Sequence, residues 1–100
     1  MPLLPFKLLT EVPPGAIAEF EHDDTTLAVC NVGGEIHCVD GVCPHAEGPL
    51  TEGALHGSTL VCPWHGWEFD VRTGDSEMGD CKLKTYPTVV QEGRIFIQLP

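Results

Sequence analysis

Two short loops limit what this chain can fold into. Val42-Cys43-Pro44-His45 and Val61-Cys62-Pro63-Trp64-His65-Gly66-Trp67 each offer one thiolate and one imidazole, and sixteen residues separate His45 from Cys62. Thiolate and neutral imidazole are good ligands for zinc, iron and iron–sulfur centres. Neither loop has more than two donors, so a four-ligand site forms only where the loops meet. The fold must then bring Cys43, His45, Cys62 and His65 to one place. Proline directly after each cysteine fixes φ and stiffens both loops. Gly48 and Gly66 are expected to let backbone approach the site closely. Tight loops of this kind can also aim backbone N–H groups at bridging sulfide. On ligand type alone, a structural Cys₂His₂ zinc site and an iron–sulfur centre both remain open.

The rest of the chain has a period of two, broken often by turn residues, and no segment reads as a helix. Strands are expected at Phe6–Glu11, Ala16–Glu21, Leu27–Val32 and Glu35–Asp40, then at Ser58–Val61 and Trp67–Val71. Thr85–Gln91 and Arg94–Leu99 should form a last hairpin about Glu92-Gly93. Val12-Pro13-Pro14-Gly15 and Thr73-Gly74 are stops, and Gly33-Gly34 is a two-residue hairpin turn. The segment from Gly48 to Gly53 reads as loop, and Asp75–Asp80 as a polar, acidic loop. About eight or nine short strands make an antiparallel sandwich or small barrel, all-β. Within a metal-binding unit of about 42–74, the Cys43–Trp67 piece is inserted between two strands of this base and holds little that could serve as its own core. Ligation is expected to hold it together.

At 100 residues the chain is one small domain, 1–100, whose hydrophobic core is thin, so a metal clip across a long loop would add to its folding free energy. Fifteen acidic residues against five basic ones give a net charge of −10. That excludes nucleic acid and anionic membrane as natural partners and suits a partner with basic patches. No apolar run approaches the roughly 20 residues of a membrane span, and the N-terminus lacks the pattern of a signal peptide. Five cysteines, an odd number, do not suggest a secreted disulfide framework, so a cytoplasmic location is expected. Cys30 and Cys38 lie on apolar strands and are expected to be small buried hydrophobes. Cys81 falls in a polar stretch, as a free thiol.

The two loops, read with their flanks, resemble the signature boxes of Rieske iron–sulfur proteins. The boxes are Cys43-Pro44-His45-Ala46-Glu47-Gly48-Pro49-Leu50 and Cys62-Pro63-Trp64-His65-Gly66-Trp67-Glu68-Phe69-Asp70-Val71-Arg72-Thr73-Gly74. Outside them the likeness is a strand rhythm. The resemblance implies one [2Fe–2S] cluster, with Cys43 and Cys62 on one iron and His45 and His65 on the other. Two ferric irons, two sulfides and two thiolates sum to zero formal charge, whereas four thiolates would leave minus two. An added electron is therefore easier to accept, and centres of this kind span about −150 to +300 mV against about −400 mV for the four-cysteine type. Respiratory and photosynthetic members carry an extra cysteine in each box, joined as a disulfide, and hydroxyl donors toward sulfide. This chain has Ala46-Glu47, Pro63-Trp64 and Gly66-Trp67 at those places, which implies the low-potential branch.

With the sequence running to Pro100, the mononuclear-iron domain of a Rieske oxygenase is not expected. The resemblance then implies the ferredoxin component of an aromatic-ring-hydroxylating dioxygenase system. Such a protein is not an enzyme. It carries single electrons from a flavin-dependent reductase to a terminal oxygenase, docking transiently near His45 and His65 with electrostatic steering. Pro44, Pro49 and Trp64 would surround those histidines as an apolar tip. The alternative within the same likeness is the small subunit of an assimilatory nitrite reductase, a fixed piece of an enzyme complex.

Overall fold

A computed structural model describes residues 3–43, 48–64, 66–76 and 82–99. Among them are ten β-strands, two 3₁₀ turns and no α-helix. The strands are β1 (Leu3–Leu8), β2 (Ile17–His22), β3 (Thr25–Val32), β4 (Glu35–Asp40), β5 (Ala54–His56), β6 (Thr59–Val61), β7 (Glu68–Asp70), β8 (Thr85–Tyr86), β9 (Thr88–Gln91) and β10 (Arg94–Gln98). They form three antiparallel sheets, ordered β1-β10-β9, β2-β3-β4-β8 and β5-β6-β7.

The middle sheet is the scaffold. Asp23-Asp24 turns β2 into β3, with Asp23 at φ 54°. Gly33-Gly34 turns β3 into β4, both glycines at positive φ, as a two-residue hairpin demands. Leu27 through Cys30 are all fully buried, as are Cys38 and Val39 on β4. This follows from burial on both sheet faces, which turns an alternating pattern into a near-continuous apolar run. On one face Phe20, Leu27, Val29, Ile36 and Cys38 pack against Ile95 and Ile97 of the β1-β10-β9 sheet and Leu99 just past it. On the other, Ala28, Cys30 and Val39 pack against Cys43, Leu50, Leu60, Cys62, Phe69, Val71 and Leu83.

That second core corrects one expectation. The inserted piece does have apolar packing, because Leu50 and Leu60 are 0% exposed, and it shares this core with the base sheet. Local boundaries also differ from the sequence reading. The first strand lies earlier, at Leu3–Leu8, and Leu9–Glu11 is a 3₁₀ turn whose Glu11 carboxylate accepts the Leu8 N–H at 2.8 Å. Leu50–Glu52, read as loop, is a second 3₁₀ turn. Thr85–Gln91 is two strands in two different sheets: Pro87 between them has no N–H to continue a ladder, so β8 pairs with β4 and β9 with β10.

Candidate metal centre

The first loop leaves the middle sheet at the end of β4. Gly41 donates its N–H to Thr26 O at 2.9 Å and accepts from Leu50 N–H at 3.0 Å. A Cβ on Gly41 would stand 2.9 Å from that same Thr26 oxygen, so only glycine fits the crossing. Val42 bridges to Pro49, and Cys43 N–H donates to Gly48 O at 2.9 Å, which closes the loop over residues 43–48. Leu50 then drops into the second core, and Thr51 Oγ1 donates to Glu19 Oε1 at 3.0 Å, fastening the returning chain to β2. The Thr51 tie joins residues 32 apart and has no local signal in the sequence.

The second loop hangs between β6 and β7, which pair Leu60 with Phe69. Cys62 N–H donates to Trp67 O at 2.7 Å across its neck. Gly66 within it sits at φ +70°, the left-handed region, with open space around its Cα. Its glycine is therefore required by backbone conformation, not by the close approach expected from sequence. Gly48 does provide such an approach. A Cβ there would lie 2.8 Å from Cys62 Sγ, 3.1 Å from Trp64 Cγ and 3.2 Å from Trp64 Cβ. The absence of a side chain at Gly48 lets the two loops touch. Past the second loop, Asp70 Oδ1 accepts the Arg72 N–H at 2.9 Å, as expected of an Asx turn, and Gly74 takes φ +85° against Leu83 O.

The outcome is a pair of thiols, Cys43 at 0% and Cys62 at 1% exposure, delivered by different loops and interacting with each other. Both are free, as are Cys30 and Cys38. Burial pushes the Cys62 thiol up, opposed by the Trp64 backbone N–H that hydrogen-bonds to it and assisted by Cys43. That Trp64 N–H was not foreseen; it is a donor that would steady a thiolate, two residues past the cysteine. Soft sulfur donors paired in a dry, apolar setting suit a thiophilic metal or an iron–sulfur cluster, and the Gly48 cradle keeps that space clear. The residues present therefore fit such a group. His45 and His65, the expected nitrogen ligands, lie outside the described residues, and so does Cys81. Among the described residues no set of three or more His, Cys, Asp or Glu converges on one point.

The other cysteines are not part of the pair. Cys30 and Cys38 lie on neighbouring strands but face opposite cores, and burial pushes the Cys30 thiol up to about 12. His37 is half-buried beside Glu35, its Nε2 at 3.4 Å from Oε1, and His22 sits at the β2–β3 turn. Two large apolar side chains are exposed at the metal end, one from each loop: Val42 at 43% and Trp64 at 50%. Among the described residues no helix is long and apolar enough to cross a membrane.

Known proteins resemble this chain over most of its length. The Rieske [2Fe-2S] domain family matches residues 4–87. The ferredoxin component of a naphthalene 1,2-dioxygenase system from Pseudomonas aeruginosa is 33% identical over 93 residues, which cover 91% of this chain and 89% of that protein. A chain in the complex of reduced oxygenase and oxidised ferredoxin in carbazole 1,9a-dioxygenase superposes with a TM-score of 0.90 at 30% identity, over 95% of this chain and 100% of that one. A structure described as an NADH-dependent nitrite reductase small subunit from Mycobacterium tuberculosis superposes at 0.88 over 99% of this chain and 96% of that one, but at 20% identity. That last likeness is one of fold alone.

Proposed function

The chain belongs to the Rieske [2Fe-2S] family, and from that premise we propose that it is the ferredoxin of an aromatic-ring-hydroxylating dioxygenase system. It carries single electrons from a flavin-dependent reductase to a terminal oxygenase in the cytoplasm and is not itself an enzyme. The observation that carries this reading is the meeting of two buried thiols around a side-chain-free glycine. It occurs in a chain that is similar, over nearly its whole length, to dioxygenase ferredoxin components. The nitrite reductase reading has only the fold in its favour.

Residues 42–74 act as the cluster-carrying unit of a single domain. Cys43 and Cys62 hold one iron through thiolate, and His45 and His65 hold the other through imidazole. When bound, the [2Fe–2S] cluster supplies a site that takes up and gives back one electron. The protein's residues do the rest. Leu50, Leu60 and Phe69 exclude water from the thiol side, so little solvent need reorganise around the sulfurs as charge changes. The Trp64 N–H stabilises negative charge on the Cys62 sulfur. No cysteine follows His45 or Cys62 closely enough to staple the loops, which fits the lower part of the potential range.

Docking takes place at the end that bears His45 and His65. Val42 and Trp64 provide apolar contact there, and an excess of ten negative charges steers encounter with basic partner faces. A small, wet, short-lived interface suits a carrier that must serve a reductase and an oxygenase in turn. Reconstitution tests the proposal. Purified protein is combined with NADH, a flavin reductase and a terminal ring-hydroxylating oxygenase, and hydroxylated product is counted against NADH consumed. Product formation that depends on this chain is expected. A colourless protein holding zinc and no iron, or stable co-purification with a sirohaem subunit, would overturn it.

A further inference from the structure

The root of the first loop depends on one side chain that the cluster ligation does not involve. Asp40 is the last residue of β4, three positions before Cys43. Its backbone N–H donates to Lys84 O at 3.0 Å. Its carboxylate then accepts the Lys84 backbone N–H on Oδ2 at 2.8 Å and the Tyr86 hydroxyl on Oδ1 at 2.9 Å. A carboxylate has taken the place of the next ladder carbonyl, so the β4–β8 pairing ends on Asp40 and the chain is released at Gly41. The atoms that follow are fixed in sequence: Gly41 N–H to Thr26 O, Leu50 N–H to Gly41 O, Cys43 N–H to Gly48 O. These bonds follow directly on the point where Asp40 leaves the strand.

The same carboxylate is half-buried and has no cation within ion-pair distance among the described residues. Lys84, whose backbone N–H the carboxylate accepts, holds its Nζ over the Tyr86 ring, 6.0 Å from the centroid. Three residues of chain span at most about 11 Å, so Asp40 stays within that reach of Cys43. A charge that is partly withdrawn from water is screened less than one in solution. Burial pushes the Cys38 thiol up, with smaller contributions from Cys30 and then Asp40 in the same direction.

We propose that Asp40 is a positioning residue of the cluster site: it anchors the root of the first loop on β8, and its uncompensated negative charge holds the reduction potential down. The inference rests on the reading above that Cys43 is a cluster ligand. Adding an electron near a fixed anion is unfavourable, so removing the anion makes reduction easier. Tyr86 sets the other half of the device. Its hydroxyl turns the positive end of its dipole toward the carboxylate and weakens the field of the charge without cancelling it, so losing it should make the potential more negative.

The test is a redox titration of the holo-protein in four forms: wild type, Asp40→Asn, Tyr86→Phe and Glu11→Gln. Glu11 is an exposed carboxylate on the first 3₁₀ turn and serves as the remote control. Asp40→Asn keeps the shape and is expected to give a positive shift several times that of Glu11→Gln; Tyr86→Phe is expected to give a smaller negative one. An iron-loaded Asp40→Asn that titrates with the wild type, or moves no more than Glu11→Gln, overturns the inference. Wild-type protein without iron would instead overturn the family ligand reading, so the two failures are distinct. Hydrogen exchange on the iron-free forms decides the anchoring claim even where a variant does not load. The Gly41 and Leu50 amides should exchange at least tenfold faster in Asp40→Asn, and unchanged protection would overturn it.

Discussion

Placing a methyl group at Gly48 tests whether the two loops meet where the structure puts them. In Gly48→Ala the new Cβ would stand 2.8 Å from Cys62 Sγ and 3.1 Å from Trp64 Cγ. Non-bonded heavy atoms of this kind rest at about 3.5–4 Å, so the sulfur contact must open by about 0.7 Å or more. Trp64 is half exposed and can swing away at little cost. Cys62 cannot, because it is 1% exposed, its N–H is bonded to Trp67 O and its neighbours Leu60 and Phe69 are packed. The loops must therefore separate, which over-packing data place at about 1–3 kcal/mol. The assay is urea unfolding of the holo-protein and its iron-free form, with iron per chain determined alongside. Gly48→Ala should lower stability in both forms and reduce iron occupancy. Gly66→Ala is the contrast: its space is open but φ is +70°, so it should cost about 1 kcal/mol from backbone strain while leaving the thiol pair able to load. Wild-type stability and full iron in Gly48→Ala would refute the close approach of the loops.

Other expectations test the cores and the turns. Phe69→Ala should destabilise by about 3–5 kcal/mol, because the ring is 1% exposed in the core shared by two sheets; chemical denaturation measures it, and a cost under about 1 kcal/mol would contradict that packing. Cys30 and Cys38 should resist iodoacetamide at pH 8 in the folded protein and react once it is unfolded, since burial removes access and pushes the Cys30 thiol up to about 12; mass spectrometry of labelled peptides reads this directly. Hydrogen bonds from Arg72 hold the Asp70 carboxyl below its ordinary value. A lowered folded-state value stabilises above the unfolded-state value and loses that contribution as pH falls through the folded one. The small stability gap between wild type and Asp70→Asn should accordingly be present at neutral pH and shrink in acid, below the usual carboxylate range, and a gap that grows in acid would contradict the sign.

The parts of the fold that could be read in the sequence are those set by local chemistry. Gly33-Gly34 specifies a two-residue hairpin, and Glu35–Asp40 was placed residue for residue. The thiols of the two Cys-Pro loops come together, while His45 and His65 lie outside the described residues. The errors have physical causes. Thr85–Gln91 alternates well enough to read as one strand, yet Pro87 lets the chain change sheets, and which sheet each half joins is a tertiary choice. β5 is three residues long, too short for a period, although Gly57 at φ 62° before Ser58 marks the two-residue turn that joins it to β6. The second core went unseen because Ala28, Cys30 and Val39 look like the silent side of a half-buried sheet until the inserted piece covers them. Gly48 and Gly66 look alike in sequence but do different work, and only contact distances and φ separate them.

The central claim is a two-iron centre with unlike irons, one held by Cys43 and Cys62 and the other by His45 and His65. Mössbauer spectroscopy of the oxidised, ⁵⁷Fe-enriched protein tests it most directly. Two ferric doublets of equal area but different isomer shift are expected, one for an all-sulfur iron and one for an iron with nitrogen ligands. Two indistinguishable irons, a single mononuclear iron, or zinc in place of iron would contradict it.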